Sequence, residues 1–371
     1  MLSNHSDETT PLVTLEQIKQ AQERLRTVAV RTPLIDWHVP RTPSGGKHKL
    51  YLKPENLQPV GSFKLRGAYN KIASLSLEER KRGVIAYSSG NHAQGVAYAA
   101  RALGVKAVIV MPQGAPAIKR ESTAAMGAEI VLVGPGSSER KARAEELAAQ
   151  YGYVIVPPYN DPTVIAGQGT IGLEILEDLP QVDTVLAPIG GGGLVSGIAT
   201  AIKLQRAKIL RESSVPAPLI SAKNSAGKKS SKKAQPTHGP VRIIGVEPEF
   251  AADAQASLRA GHIVALPAEQ TARTIADGLR TQSVGEIPFE HIRRYVDDIV
   301  TVTENEIRAA MRFLGSDSKL VAEPSGAVSV AAFLFHGKEL PGTVITVAVL
   351  SGGNVEPRLL AEIMSQPAGF S

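Results

Sequence analysis

From Gly83 onward, short unbroken apolar runs alternate with amphipathic stretches. GVIAYSS is followed by HAQGVAYAARALG, KAVIVMP by APAIKRESTAAMGA, EIVLVG by SSERKARAEELAAQYG, and VIVPPY closes the series. Short apolar runs bounded by turn residues suit strands buried on both faces, and apolar positions at helical spacing suit the intervening helices. The alternation predicts a parallel-sheet unit over about 83–160, and hence an α/β fold. A second series follows, with a helix over about 163–178, the strand VDTVLAPI, the helix LVSGIATAIKLQ, the strand VRIIGVEP and the last strand TVITVAVLSGGN. Upstream, Thr14 suits the cap of an amphipathic helix over 14–29 that would bury Ile18, Ala21, Leu25 and Val28. TPLIDWHVP and KLYLKPENLQ read as extended segments broken by proline. Ser62 suits the cap of a helix burying Leu65, Ala68, Tyr69, Ile72 and Ala73.

Composition narrows the picture. A chain of 371 residues has room for about two to three domains. It has no cysteine, which excludes disulfides, thiolate metal sites and cysteine nucleophiles. No stretch approaches the roughly 18 continuous apolar residues of a membrane span. The start, MLSNHSDETTP, is polar and carries two acids, so a cytoplasmic protein without a membrane partner is expected. The net charge is +6, but residues 221–240 hold five lysines and no acid. The rest of the chain therefore carries only +1, which argues against nucleic-acid binding by the folded body. Residues 211–240, rich in Ser, Lys, Pro and Gly, read as a mobile surface insertion.

Four segments have chemical potential. Lys64, in Gly61-Ser62-Phe63-Lys64-Leu65-Arg66-Gly67, falls in the first turn of its helix. The positive end of a helix dipole destabilises an ammonium, so a lysine there can act as an amine nucleophile or base, or be only a surface charge. Ser88-Ser89-Gly90-Asn91-His92 lies between a strand end and a helix start, which suits either an anion or a capped turn. Gly190, Gly191, Gly192 and Gly193 permit converging backbone N–H groups around a phosphate. Neither a Walker loop nor the dinucleotide fingerprint fits them. Ser351-Gly352-Gly353-Asn354 closes the last strand, where a hydroxyl could meet a ring nitrogen or merely begin a turn. A phosphate, a ring nitrogen, an aldehyde that takes a lysine and a second anion together describe pyridoxal phosphate with an amino acid.

Taken in order, KPENLQPVGSFKLRGAYN, SSGNHAQGVAYAA, VIAGQGTIGLEIL, PIGGGGLVSG, GVEPE, TIADGL, VDDIVTVTENEI, EPSGAV and LSGGNVE resemble the serine racemase and serine/threonine ammonia-lyase group of fold type II pyridoxal-phosphate enzymes. The resemblance covers about residues 14–360 apart from the insertion. It implies two open, twisted, mainly parallel sheets flanked by helices. It also implies a large cofactor-binding domain over 1–80 and 161–371, a small mobile domain over 81–160, and a homodimer. Lys64 would form the Schiff base, with Phe63 against the ring, Asn91 at the phenolic oxygen, Gly190 to Gly193 around the phosphate and Ser351 at the ring nitrogen. Ser88, Ser89, Asn91, His92 and Arg140 would hold the substrate. Glu247, the backbone of Ala251 and Asp253 match the group's divalent cation site, for Mg²⁺ or Ca²⁺.

Ser89 decides the expected activity. In the racemase branch a serine stands opposite the lysine, where dehydratases usually carry alanine. Racemisation needs a proton group on each face, and Lys64 with Ser89 supplies the pair. The first expectation is therefore serine racemase with accompanying dehydration of serine to pyruvate and ammonia. The alternative is an L-threonine/L-serine or threo-3-hydroxyaspartate ammonia-lyase with little racemisation. A catalytically silent protein on the same fold is opposed by the retained lysine, glycines and Ser351. Two departures stand out. Tyr159 takes the place where racemases often have asparagine, with Asn160 one position later, and Ala93 follows the motif histidine as in dehydratases.

Overall fold

The computed structural model describes residues 12–38, 48–88, 90–115, 117–134, 136–214, 239–340 and 345–366, with the backbone alone at 118, 137, 138, 213 and 214. Among the described residues ten strands form two sheets: β1 (Ile35–Trp37), β2 (Lys49–Pro54), β3 (Val84–Tyr87), β4 (Ala107–Pro112), β5 (Glu129–Val133), β6 (Val154–Ile155), β7 (Thr184–Pro188), β8 (Arg242–Pro248), β9 (Asp298–Val302) and β10 (Ile345–Leu350). The smaller sheet, in the order β5-β4-β3-β6, is entirely parallel and is drawn from residues 84–155. The larger has the order β1-β2-β10-β7-β8-β9, and only its β1 edge is antiparallel. β7 and the Ile345–Leu350 strand are buried at almost every position, as expected of central parallel strands covered by helices on both faces.

Several elements depart from the sequence reading. The first helix spans Leu15–Leu25, and Thr14 caps it through a reciprocal pair with Gln17, but Val28 falls beyond its end. The helix expected to be capped by Ser62 begins at Lys64, with Phe63 as cap residue and the Ser62 hydroxyl unpaired. Its buried face includes Arg66 and Asn70 rather than Tyr69 and Ala73. β9 was not foreseen, because its short apolar core is flanked by charged VDD and TEN segments. The helix after the tetraglycine runs Gly193–Ser214, so it takes in the first four residues of the expected insertion. Residues 215–238 of that insertion lie outside the described residues.

The helix Pro162–Asp178 is buried from Val164 to Leu176, which explains why its amphipathic signal is weak. It packs between the Lys64–Ala73 helix and the Gly193–Ser214 helix. The Asn91–Ala102 helix lies on the Lys64–Ala73 helix at Gly95, where an added Cβ would stand 3.1 Å from the Lys64 carbonyl group. This close approach brings two of the chemically interesting segments to one place. The ends of β3, β7 and β10 lead into the Ser88–His92, tetraglycine and Ser351 segments, which is where open α/β sheets hold ligands.

Candidate active site

A cleft of about 300 Å³ is lined by Phe63, Lys64, Ser88, Asn91, His92, Arg140, Gly190 to Gly193 and Ser351. The structure thus brings together the described cofactor and substrate candidates read from the sequence. Ser89 lies outside the described residues. Glu323, Tyr159, Lys119 and Asp277 line the same cleft and were not assigned to it from sequence.

The Lys64 helix is fastened to the end of β10. The Phe63 amide donates to the Ser351 carbonyl at 3.0 Å, and Ser62 pairs with Gly352 as an isolated antiparallel bridge. Lys64 then enters the cleft, and its Nζ donates to the Pro158 carbonyl at 2.8 Å. Burial lowers its pKa to about 8, against the opposing pull of the Glu323 carboxylate. The amine is therefore much closer to neutrality at physiological pH than a surface lysine. The Phe63 ring lies beneath, its centroid 5.1 Å from Nζ.

Gly192 has φ of +90°, which glycine alone tolerates without strain, and a Cβ there would lie 2.8 Å from Pro288 and Val284. A Cβ on Gly191 would meet the Tyr159 ring at 2.2 Å. The loop is thus a cradle that any side chain would fill, and it opens the Gly193–Ser214 helix with its free amides. Ser351 is 3 % exposed, and its hydroxyl reaches the Ser325 carbonyl at 3.3 Å. These groups suit a phosphate at one end and a ring nitrogen at the other.

Asn91 is the first residue of its helix. Its Nδ2 donates to Glu323 Oε1 at 2.6 Å, while its Oδ1 accepts from Asn354 Nδ2 at 2.7 Å. Glu323 is 5 % exposed, and burial, aided by Asp277, pushes its carboxyl up to about 7. His92 is buried, and its Nε2 meets the Val156 carbonyl at 2.8 Å. A carbonyl only accepts, so Nε2 carries the proton and Nδ1 is a lone-pair acceptor. Burial, with Lys64 nearby, lowers its pKa to about 3, and the ring stays neutral. Its one N–H is thereby committed, so His92 offers no donor to a substrate carboxylate in this arrangement. The Ser88 hydroxyl accepts from the Gly90 amide at 3.3 Å, and Arg140, half-buried, lines the mouth. Lys119 pairs with Asp277 at 3.0 Å, and both line the cleft.

Tyr159 and Asn160 separate clearly. Tyr159 packs on the tetraglycine inside the cleft, whereas Asn160 Oδ1 accepts from the Ile287 amide at 3.0 Å and caps the start of another helix.

Away from the cleft, Glu247 and Asp253 are fully buried. The Ala254 and Gln255 amides donate to Glu247 at 2.9 and 2.8 Å. Neither Asp253 carboxylate oxygen forms a well-shaped hydrogen bond, and burial pushes this carboxyl up to about 7. Burial, then the Asp253 charge, pushes Glu247 well up too. Among the described residues no group of three or more His, Asp or Glu side chains is arranged for a metal, so a cation here would need backbone oxygen such as that of Ala251. The unpaired carboxylate oxygens fit that chemistry. No described helix is long and apolar enough to cross a membrane.

Comparison with known proteins agrees with this geometry. A family model described as pyridoxal-phosphate dependent enzyme matches residues 25–352. An L-threonine ammonia-lyase of Thermotoga maritima is 43 % identical over 355 residues, 96 % of this chain and 79 % of that protein. The L-threo-3-hydroxyaspartate ammonia-lyase of Saccharomyces cerevisiae is 39 % identical over 95 % of this chain and 96 % of its own. The solved structure of maize serine racemase superposes with a TM-score of 0.79 at 33 % identity, covering 95 % of this chain and 97 % of that one.

Proposed function

This chain belongs to the family of pyridoxal-phosphate dependent enzymes, and from that premise we propose that it is an ammonia-lyase removing the β-hydroxyl and amino groups of L-threonine or L-serine. The observation that carries the proposal is the desolvated Lys64 amine in a cleft shared with the tetraglycine loop and Ser351. Racemisation, the first expectation from sequence, gives way to elimination because two curated relatives at 43 and 39 % identity bear ammonia-lyase names, while the maize racemase likeness is at 33 %.

Lys64 would hold the cofactor through its aldehyde, Gly190 to Gly193 would cradle the phosphate, Ser351 would meet the ring nitrogen, and Asn91 the phenolic oxygen. The bound cofactor would supply an electron sink for charge developing at the substrate α-carbon. Amides at the start of the Asn91–Ala102 helix, with Ser88 and Arg140, would orient the substrate carboxylate. The Lys64 amine would take the α-proton of the substrate, for which its lowered pKa suits it. The net reaction would turn the hydroxy amino acid into an oxo acid and ammonia, so it would consume no redox partner. Glu247, the Ala251 carbonyl and Asp253 would hold Mg²⁺ or Ca²⁺ as a structural cation, and a homodimer is part of the same proposal.

The test is product analysis with L-threonine, L-serine and threo-3-hydroxyaspartate, scoring oxo acid and ammonia beside the opposite enantiomer. Oxo acid as the main product supports the proposal, and enantiomer as the main product overturns it. The second reading, serine racemisation, rests on Ser89 in the sequence. Ser89→Ala should abolish any enantiomer formed and spare elimination, and unchanged racemisation would refute the two-group scheme.

A further inference from the structure

The described hydrogen bonds fix how Asn91 is oriented. The Val60 carbonyl accepts from Asn354 Nδ2 at 2.8 Å, and a carbonyl cannot donate. Asn354 therefore presents N–H groups, and Asn91 Oδ1 must be the acceptor at 2.7 Å. That places Asn91 Nδ2 toward Glu323 Oε1 at 2.6 Å. Both ends of the Asn91 amide are thus held. Of its two N–H groups one goes to Glu323, and the other is left for the cleft.

Glu323 is itself rigidly placed. It precedes the buried helix Pro324–Phe335 but does not cap it with its side chain. Its own amide donates to the Gly352 carbonyl at 3.1 Å, and its carboxylate lies so close over Gly352 that a Cβ there would stand 2.3 Å from Oε1. A buried carboxylate with no capping role and a short bond to a cleft residue is costly to keep without a purpose.

We propose that Glu323 is a positioning residue which, opposite Asn354, locks the Asn91 amide so that its remaining N–H points to the phenolic side of the bound cofactor. This rests on the cofactor-binding reading above. Glu323 immediately precedes a helix packed on the larger sheet, and Asn91 opens a helix packed on the smaller one, so the bond also links the two layers.

The experiment is a double-mutant cycle on cofactor retention, measured by titrating pyridoxal phosphate into each protein and reading the visible absorbance and the dissociation constant. Asn91→Ala and Glu323→Ala are each expected to weaken retention roughly tenfold, the size of one well-formed hydrogen bond to a charged partner. The double variant should be no worse than Asn91→Ala alone, because Glu323 acts through Asn91. Glu323→Gln keeps an acceptor oxygen of the same reach and should restore retention to within about twofold of wild type. Effects that multiply in the double variant, or a Glu323→Gln as weak as Glu323→Ala, would overturn the proposal. A wild-type protein that takes up no pyridoxal phosphate, or a Lys64→Ala variant with an unchanged spectrum, would instead refute the cofactor reading itself.

Discussion

Arg66 stands two residues after Lys64 and is 1 % exposed. Its Nε and Nη2 donate to the two Glu55 oxygens at 2.8 Å each, and Nη1 and Nη2 reach Glu174 at 2.6 and 3.0 Å. Lys53 Nζ completes the set at 2.6 Å from Glu174. Two cations thus balance two carboxylates in a space where Lys53 and Glu55 have no exposure and Glu174 has 6 %. Arg66→Met keeps much of the volume but leaves one carboxylate charge uncompensated. Breaking a buried pair on one side costs about 3–5 kcal/mol. With an unfolding entropy of about 2.1 cal/mol/K per residue, that is a fall in Tm of roughly 5 °C for a chain of 371 residues.

The pH dependence of this variant has a definite sign. Burial alone would raise the Glu55 carboxyl, but Arg66 beside it overrides that and holds it below the usual range. In wild type this contribution is present above the unfolded pKa and is lost as pH falls through the folded one. Without Arg66, burial raises the carboxyl. The folded variant then binds the extra proton and loses stability as pH rises from the unfolded pKa through the raised value. The gap between the two proteins should therefore be smaller at pH 5 than at pH 7. Urea unfolding followed by far-UV circular dichroism at both pH values measures it, and Arg66→Met/Glu174→Gln should recover part of the loss. A deficit below about 1 kcal/mol at pH 7, or one independent of pH, would show that Arg66 does not compensate a buried carboxylate charge.

Two further outcomes follow from the geometry. Gly192→Ala puts a side chain at φ of +90° with its Cβ 2.8 Å from Pro288 and Val284, so pyridoxal phosphate retention should drop at least about tenfold by absorbance titration. Millimolar Mg²⁺ or Ca²⁺ should raise the Tm of chelator-treated protein by relieving the Glu247–Asp253 repulsion, and Asp253→Ala should abolish that response in a thermal melt.

The sequence was most legible where one rule governs. β3, β4 and β7 are short apolar runs bounded by turn residues, so their character is read from local composition alone. Lys64, the four glycines and Ser351 were legible because each ends a strand or opens a helix, and their order along the chain is specific. Arg66, Glu55, Lys53 and Glu174 were not, since a charged residue on a helix or strand reads as solvated until its partner, up to 121 residues away, is known. Glu323 and Asn354 lay in plain view within EPSGAV and LSGGN. What signalled Glu323 was an acid immediately before a proline that opens a largely apolar helix, a place where a capping side chain would be Ser, Thr, Asp or Asn. The engagement of the His92 N–H by the Val156 carbonyl was not legible, because sequence does not reveal that distant partner.

The central claim is that Lys64 carries pyridoxal phosphate and takes the proton whose loss starts elimination. Its most direct test is the rate of oxo-acid formation from L-threonine by the cofactor-loaded protein, compared with Lys64→Ala loaded in the same way. Wild type should give oxo acid and ammonia in equal amounts, and the variant a rate at least about a thousandfold lower, the scale of losing a positioned acid–base group. A fully loaded wild type that leaves L-threonine, L-serine and threo-3-hydroxyaspartate untouched, or a variant that retains the wild-type rate, would contradict it.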